Sequence, residues 1–87
     1  MKIGICLPHE TEAMGGKTAS GVEVLQLARL AEDAGFDSVW VVDHFCYSAA
    51  AEMEALGATA PSELIGKVYG AWECLTLCAA LARETQR

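Results

Sequence analysis

The sequence predicts an α/β fold built on a parallel sheet. Its apolar segments follow one another in the order strand, helix, strand, irregular segment, helix. The second strand segment is apolar at consecutive positions, which is typical of parallel strands that are covered on both faces. Because two parallel strands alone do not make a stable sheet, the pattern predicts the opening quarter of a larger α/β fold.

Length and charge restrict the classes of protein to consider. The 87 residues suit one domain, residues 1–87, with a thin core. The net charge of −6 and the scatter of the six basic residues argue against a nucleic-acid partner and an anionic membrane surface. No apolar run approaches the roughly 20 residues of a membrane helix, and the N-terminus lacks the pattern of a signal peptide. We therefore expect a cytoplasmic location and no membrane contact.

The first strand is predicted at Lys2–Leu7, where β-branched residues precede a stop at Pro8. A polar, glycine-bearing loop follows over residues 8–19. Within it, Gly15–Thr18 has the letters that end a phosphate-binding loop, but that motif needs a glycine where Thr11 stands. We therefore do not expect a nucleoside triphosphate site.

The first helix is predicted over residues 21–34. Ser20 and Glu23 fit the capping box, in which each side chain bonds a backbone N–H group of the other residue. Gly35 suits the left-handed residue that ends a helix. Apolar residues at helical spacing predict a buried face, and they are Val24, Leu27, Leu30, Ala31 and Ala34.

The second strand is predicted at Ser38–Val42, so that strand, helix and strand form a βαβ unit with parallel strands. After this strand, from Asp43 to about Tyr69, the secondary-structure signals in the sequence weaken. Ala49–Leu56 could form one or two helical turns, and Ala60–Ser62 is a break. A second helix is predicted over Ala71–Arg83, which is apolar almost all round and therefore expects cover on more than one side.

The second strand runs directly into two polar residues, Asp43 and His44. In parallel α/β folds, sites gather at the C-terminal ends of the strands, where polar side chains keep access to water or a ligand. The strand tip is therefore a candidate site. From the residues alone a second interpretation stays open, in which Asp43 caps the following turn and His44 packs against a loop.

Four other residues favour structural roles. His9 follows the first strand and is expected in a surface loop. Trp40 lies within the second strand and is expected in the core, and Trp72 is expected to pack at the start of the last helix. Glu73 falls in the first turn of that helix, where its charge complements the helix dipole.

The four cysteines are expected to be free thiols. Cys74 and Cys78 share one face of the predicted helix, but their side chains run parallel there and do not point at each other. No C-x-x-C pair occurs, so neither a zinc site nor any other metal site is expected.

Three stretches carry a resemblance to a known family. They are MKIGICLP at the first strand, LARLAEDAGFDSVWVVDHF through the first helix and second strand, and GAWECLTLCAALARET in the last helix. Together they resemble the N-terminal part of the bacterial luciferase-like flavin- and deazaflavin-dependent oxidoreductases. The resemblance implies a (β/α)8 barrel, of which this chain would be the N-terminal β-α-β-α quarter.

The resemblance also implies a site and a reaction. His44 falls on the family's active-site histidine, which holds or transfers a proton near the cofactor, and Asp43 falls on the adjacent acid, which contacts the cofactor in some members. The implied cofactor is FMN or coenzyme F420 in reduced form, acting on a small-molecule substrate by hydride transfer or monooxygenation. The complete protein would be a dimer, and the 87-residue chain alone is expected to be inactive.

Two other classes of protein stay open. The first is a non-enzymatic remnant or accessory subunit that docks on a full-length relative. The second is another small α/β domain, such as half of a flavodoxin-like sheet. The loop after the first strand lacks the phosphate cradle that a flavodoxin-like protein would place there.

Overall fold

The computed structural model describes residues 1–87. It contains two parallel strands, two short antiparallel strands and three helices. In chain order these are β1 (Gly4–Cys6), α1 (Gly21–Asp33), β2 (Ser38–Trp40), β3 (Cys46–Tyr47), α2 (Ala49–Ala55), β4 (Tyr69–Gly70) and α3 (Cys74–Glu84), with a 3-10 turn at Ser62–Leu64. None of the helices is both long enough and apolar enough to cross a membrane.

Strands β1 and β2 pair in parallel, as the sequence predicts. The hydrogen-bond ladder continues beyond the regular pairing at both ends. The Asp37 N–H group donates to the Ile3 carbonyl over 2.8 Å, and the Leu7 N–H group donates to the Trp40 carbonyl over 2.9 Å. Both strands are nevertheless shorter than predicted, because neither has a second neighbour to extend its ladder.

Helix α1 begins and ends where the sequence predicts, to within one residue. The Glu23 N–H group donates to Ser20 Oγ, and the Ser20 N–H group donates to Glu23 Oε2 over 2.8 Å, which completes the capping box. Lys17 Nζ donates to the same carboxylate over 2.6 Å. These bonds, that of Lys17 first, lower the pKa of Glu23 to about 2. Gly35 has a φ of +86°, as the helix end requires.

The core lies between the sheet, α1 and α3. Six buried residues form it: Leu7, Ala19, Val24, Ala28, Leu77 and Leu81. Val39 and Val41 pack against this cluster from the second strand segment. Only 10 of the 87 residues are buried, so the core is as thin as the chain length suggests.

The prediction that β2 is covered on both faces is wrong for this chain, and so is the prediction that Trp40 lies in the core. Trp40 is 64 % exposed. Helices α1 and α3 both pack on one face of the two-stranded sheet, so the other face has no cover. Trp40 therefore lies on the open face, where its Nε1–H group donates to Ser38 Oγ over 3.0 Å and its indole lies over Gly4 of the neighbouring strand.

The apolar face predicted for α1 is also only partly buried. Val24, Ala28 and Ala31 are buried, whereas Leu30 is 62 % exposed. Val24 and Ala28 share the core cluster with Leu77 and Leu81 of α3. Leu30 instead borders a cavity of about 780 Å³ between α1 and β1 that opens to solvent.

The segment between β2 and α3 contains structure that the sequence does not predict. Strands β3 and β4 pair antiparallel, with Tyr47 opposite Tyr69. Helix α2 matches the predicted turns at 49–56 closely. Thr11 ties the loop after β1 to this strand pair, since its N–H group donates to the Gly70 carbonyl over 2.8 Å.

Helix α3 begins at Cys74, three residues later than predicted. Glu73 is its N-cap, and its carboxylate accepts from the N–H groups of Leu75 and Thr76 over 3.1 and 2.7 Å. Hydrogen bonds from Thr76 and then Leu75 lower the pKa of Glu73. Trp72, 47 % exposed, packs only in part, and its Nε1–H group donates to the Ala19 carbonyl over 3.2 Å.

Candidate functional site

The C-terminal ends of β1 and β2 lie at the same edge of the sheet because the two strands are parallel. Asp43 and His44 follow β2 at this edge, and His9 follows β1. The predicted site residues Asp43 and His44 therefore stand at the loop end of the sheet, where sites of parallel α/β folds form. The structure adds His9, Tyr47 and neighbouring acids to this edge.

The prediction that His9 lies in a surface loop is wrong. Its side chain is buried, with 1 % exposure. The imidazole Nδ1 lies 2.9 Å from the Leu7 carbonyl oxygen, and the Val42 N–H group lies 3.1 Å from Nε2. The His9 carbonyl also accepts from the Trp72 N–H group over 3.0 Å. The loop after β1 is thus held between the end of β2 and the segment leading into α3.

His44 is partly accessible and has two side-chain neighbours. Its side chain is 34 % exposed, and its Nδ1 lies 4.0 Å from Glu52 Oε1 of helix α2. The ring meets the Tyr47 ring edge-on, with centroids 4.9 Å apart and planes at 78°. A distance of 4.0 Å is too long for a hydrogen bond, so the two groups are near neighbours without a direct bond.

Tyr47 and Tyr69 form the other side of this cluster. Their ring centroids are 5.7 Å apart, and Tyr69 is buried. Partial desolvation and then the charges of Glu10 and Glu52 raise the pKa of Tyr47. The ordinary pKa of 10.0 already keeps this phenol protonated at neutral pH, and the raised pKa favours the same hydrogen-bond-donating form.

Sequence reasoning missed Tyr47, Tyr69 and Glu52 as members of the site. They lie in the segment without periodic patterning, and they come close only because β3 pairs with β4 and α2 begins directly after β3. The only sequence signal for these members of the candidate site is a tyrosine at each end of the weakly patterned segment, Tyr47 and Tyr69.

Asp43 lies close enough to Cys74, at the start of α3, for its charge to act on that thiol. Its side chain is exposed. The pKa of the Cys74 thiol is raised, chiefly by desolvation. The hydrogen bond with Cys78 and the negative charges of Asp43 and Glu73 add to this effect. All four cysteines are free. The raised pKa disfavours the thiolate form of Cys74.

The largest cavity lies elsewhere. It has a volume of about 780 Å³, lies between β1 and α1, and is lined almost entirely by apolar side chains such as Leu27, Leu30 and Phe36. Neither Asp43 nor His44 lines it. The candidate site is instead an open rim of polar groups at the end of the sheet.

Fold and site together define an α/β protein with acid–base groups gathered at the C-terminal ends of parallel strands. The model of the luciferase-like monooxygenase family matches the chain over residues 1–87, and the chain therefore belongs to that family. Membership places it among oxidoreductases. Comparisons with curated proteins and with solved structures returned no significant match.

Proposed function

We propose that residues 1–87 form the first two βα units of a (β/α)8 barrel, and that in the complete protein they supply one wall of an oxidoreductase site. The cofactor would be reduced FMN or reduced F420, and the second reactant a small-molecule substrate. The observation that carries this proposal is the position of His44, at the C-terminal end of β2 beside Glu52 and Tyr47. The family match supports the same reaction class.

The groups present fit one side of a flavin or deazaflavin. Such rings carry both hydrogen-bond donors and acceptors, and the rim offers the carboxylate of Asp43 and the imidazole of His44. When bound, the cofactor supplies the hydride or the reaction with O2. The chain would contribute binding, orientation and proton handling.

His44 is proposed to hold or move the proton. Its Nδ1 faces Glu52, which leaves Nε2 as the nitrogen for a reacting group. The edge-on contact with Tyr47 fixes the plane of the ring, and the partial exposure of the side chain gives a ligand access. An imidazole suits this work because its unperturbed pKa of about 6.5 allows both protonation states near neutral pH.

Asp43 is proposed to bind the cofactor as a hydrogen-bond acceptor. An exposed carboxylate beside the reacting histidine can accept from a ring N–H or hydroxyl group of the cofactor.

The complete protein is proposed to be a cytoplasmic dimer.

The chain alone is proposed to be inactive, since it offers only a rim and no enclosed site for a cofactor. Calorimetric titration of the 87-residue chain with FMN and with F420 should give no binding heat at micromolar concentrations. Micromolar affinity for either compound would contradict the proposed need for the other barrel units.

The proposed roles are tested in a chimera that joins the chain to the remaining six βα units of a family member. His44→Gln should lower turnover about 10²- to 10⁴-fold, the usual contribution of a general acid or base, with little change in cofactor affinity. Asp43→Asn should chiefly weaken cofactor binding. Asp33→Asn, which removes an exposed carboxylate at the C-terminal end of α1, is the matched control and should change neither quantity. A His44→Gln chimera with unchanged turnover would contradict the role of His44.

A second candidate is an accessory subunit that docks on a full-length relative. The apolar cavity beside α1 and the exposure of Leu75 on α3 favour it, because both leave apolar surface in water. Light scattering distinguishes the candidates: a monodisperse, folded monomer would count against an accessory subunit.

A further inference from the structure

His9 is a buried polar side chain that the proposed chemistry does not use. It lies at the C-terminal end of the ladder between β1 and β2. The register of these strands places Ile5 opposite Val39, and its continuation would place Leu7 opposite Val41. In a regular parallel ladder, the Val42 N–H group would then donate directly to the Leu7 carbonyl.

The imidazole of His9 occupies the place of that missing bond. Nδ1 lies 2.9 Å from the Leu7 carbonyl oxygen, and the Val42 N–H group lies 3.1 Å from Nε2. The Leu7 carbonyl also accepts from the His9 backbone N–H group over 3.0 Å, so the chain turns sharply back at this point. The two strand ends are therefore separated by the width of a ring and joined through it.

One tautomer satisfies both contacts. With the proton on Nδ1, His9 donates to the Leu7 carbonyl and accepts from the Val42 N–H group. With the proton on Nε2, it could donate only to the Val42 carbonyl, which lies 3.0 Å away, and the Val42 N–H group would lose its acceptor. Since an unpaired polar group is costly in a buried position, the geometry favours the proton on Nδ1.

We propose that His9 is a positioning residue: its ring, inserted into the β1–β2 ladder between the Leu7 carbonyl and the Val42 amide, sets the direction in which Asp43 and His44 leave β2. Val42 directly precedes these two residues, so the bond to its N–H group is the last constraint on the backbone before them. The functional meaning of this inference rests on the proposed function of His44. The position of the His9 ring between the Leu7 carbonyl and the Val42 amide does not depend on that function.

The ring insertion can be observed directly by NMR in the 87-residue chain labelled with ¹⁵N and ¹³C. A scalar coupling across the Val42 N–H···Nε2 bond is expected, together with ¹⁵N shifts that place the proton of His9 on Nδ1. Absence of the coupling, or a proton on Nε2, would overturn the proposal. The NMR experiment needs no cofactor, so its result does not depend on the proposed function. A chimera that keeps its turnover without His44 would disprove the proposed function and would leave the NMR evidence for the inserted His9 ring unchanged.

Two variants separate positioning from general packing. The amide of glutamine can reach the position of Nε2 and accept from the Val42 N–H group, whereas that of asparagine reaches only the position of Nδ1. His9→Gln should therefore keep the nuclear Overhauser contact between the His44 and Tyr47 rings. His9→Asn should lose it, and hydrogen exchange at the Val42 amide should become about five- to tenfold faster, as expected for one lost hydrogen bond.

A purely structural role for His9 predicts another pattern. Both variants would then lower stability alike and keep the contact between the two rings in the folded molecules, and this outcome would overturn the proposal. If the His9→Asn chain does not fold, the His9→Gln chain alone tests the positioning role. A folded His9→Gln chain supports positioning if the ring contact and the slow exchange of the Val42 amide are kept together or lost together, and loss of one without the other contradicts positioning.

Discussion

Leu77 is the residue whose truncation should most clearly test the packing of α3 on α1. Its side chain is 7 % exposed and belongs to the same cluster as Val24 and Ala28. Leu→Ala changes at buried sites cost about 2–5 kcal/mol, and a core this shallow lets solvent and neighbours fill part of the space. We therefore expect Leu77→Ala to cost about 2–3 kcal/mol.

That loss is large for this chain. Domains have free energies of unfolding of roughly 0.05–0.15 kcal/mol per residue, or about 4–13 kcal/mol at this length. With only 10 of 87 residues buried, the chain belongs near the low end. Leu77→Ala should thus remove about half of its stability.

Urea denaturation followed by far-ultraviolet circular dichroism measures the effect. With a slope of about 1 kcal/mol per molar urea, the midpoint should fall by about 2–3 M. Leu75→Ala is the matched control, because Leu75 lies on the same helix and is 78 % exposed. It should cost less than about 0.5 kcal/mol. Equal losses for the two variants would refute the packing of α3 through Leu77.

Two further predictions concern a helix cap and the open face of the sheet. Because the pKa of Glu73 is lowered in the folded chain, its charge contributes stability above the ordinary value of 4.5, and that contribution is lost as the pH falls through the lowered pKa. The difference in urea midpoint between the wild type and Glu73→Gln should therefore be constant above about pH 4.5 and shrink below it; a constant difference down to low pH would contradict this cap. At Gly4, a Cβ atom would run into the indole of Trp40, whereas one at Gly21 would meet nothing. In a Trp72→Phe background, Gly4→Ala should shift the tryptophan emission and Gly21→Ala should not; equal spectra would place Trp40 away from β1.

Local signals made the first part of the fold predictable from the sequence. The capping box at Ser20 and the glycine at position 35 fix the ends of α1 through contacts within a few residues. The parallel pairing of β1 and β2 follows from the βαβ order. Strands β3 and β4 could not be predicted, since two residues are too few to display a period.

The candidate site was predictable only in part, for a related reason. Asp43 and His44 directly follow an apolar strand, and the end of a parallel strand is a site by general rule. His9 looks like any loop histidine in the sequence. Its burial depends on contacts with Val42 and Trp72, which lie 33 or more positions away, and no local pattern encodes them. Trp40 was misassigned because an apolar strand does not reveal whether its second face has a cover.

The side of the sheet on which α3 packs separates the two folds that the sequence left open. In a flavodoxin-like sheet the strand order reverses after β2, so the helices on either side of that strand lie on opposite faces. Here Leu77 and Leu81 of α3 share one cluster with Val24 of α1 and with Val39 beside it on the sheet. Both helices therefore cover the same face. In a barrel every helix lies outside one closed sheet and touches a helix on each side. That arrangement needs a second apolar side on α1, and Leu30 at the open cavity lies on such a side. The packing thus contradicts the flavodoxin-like alternative and agrees with the proposed barrel.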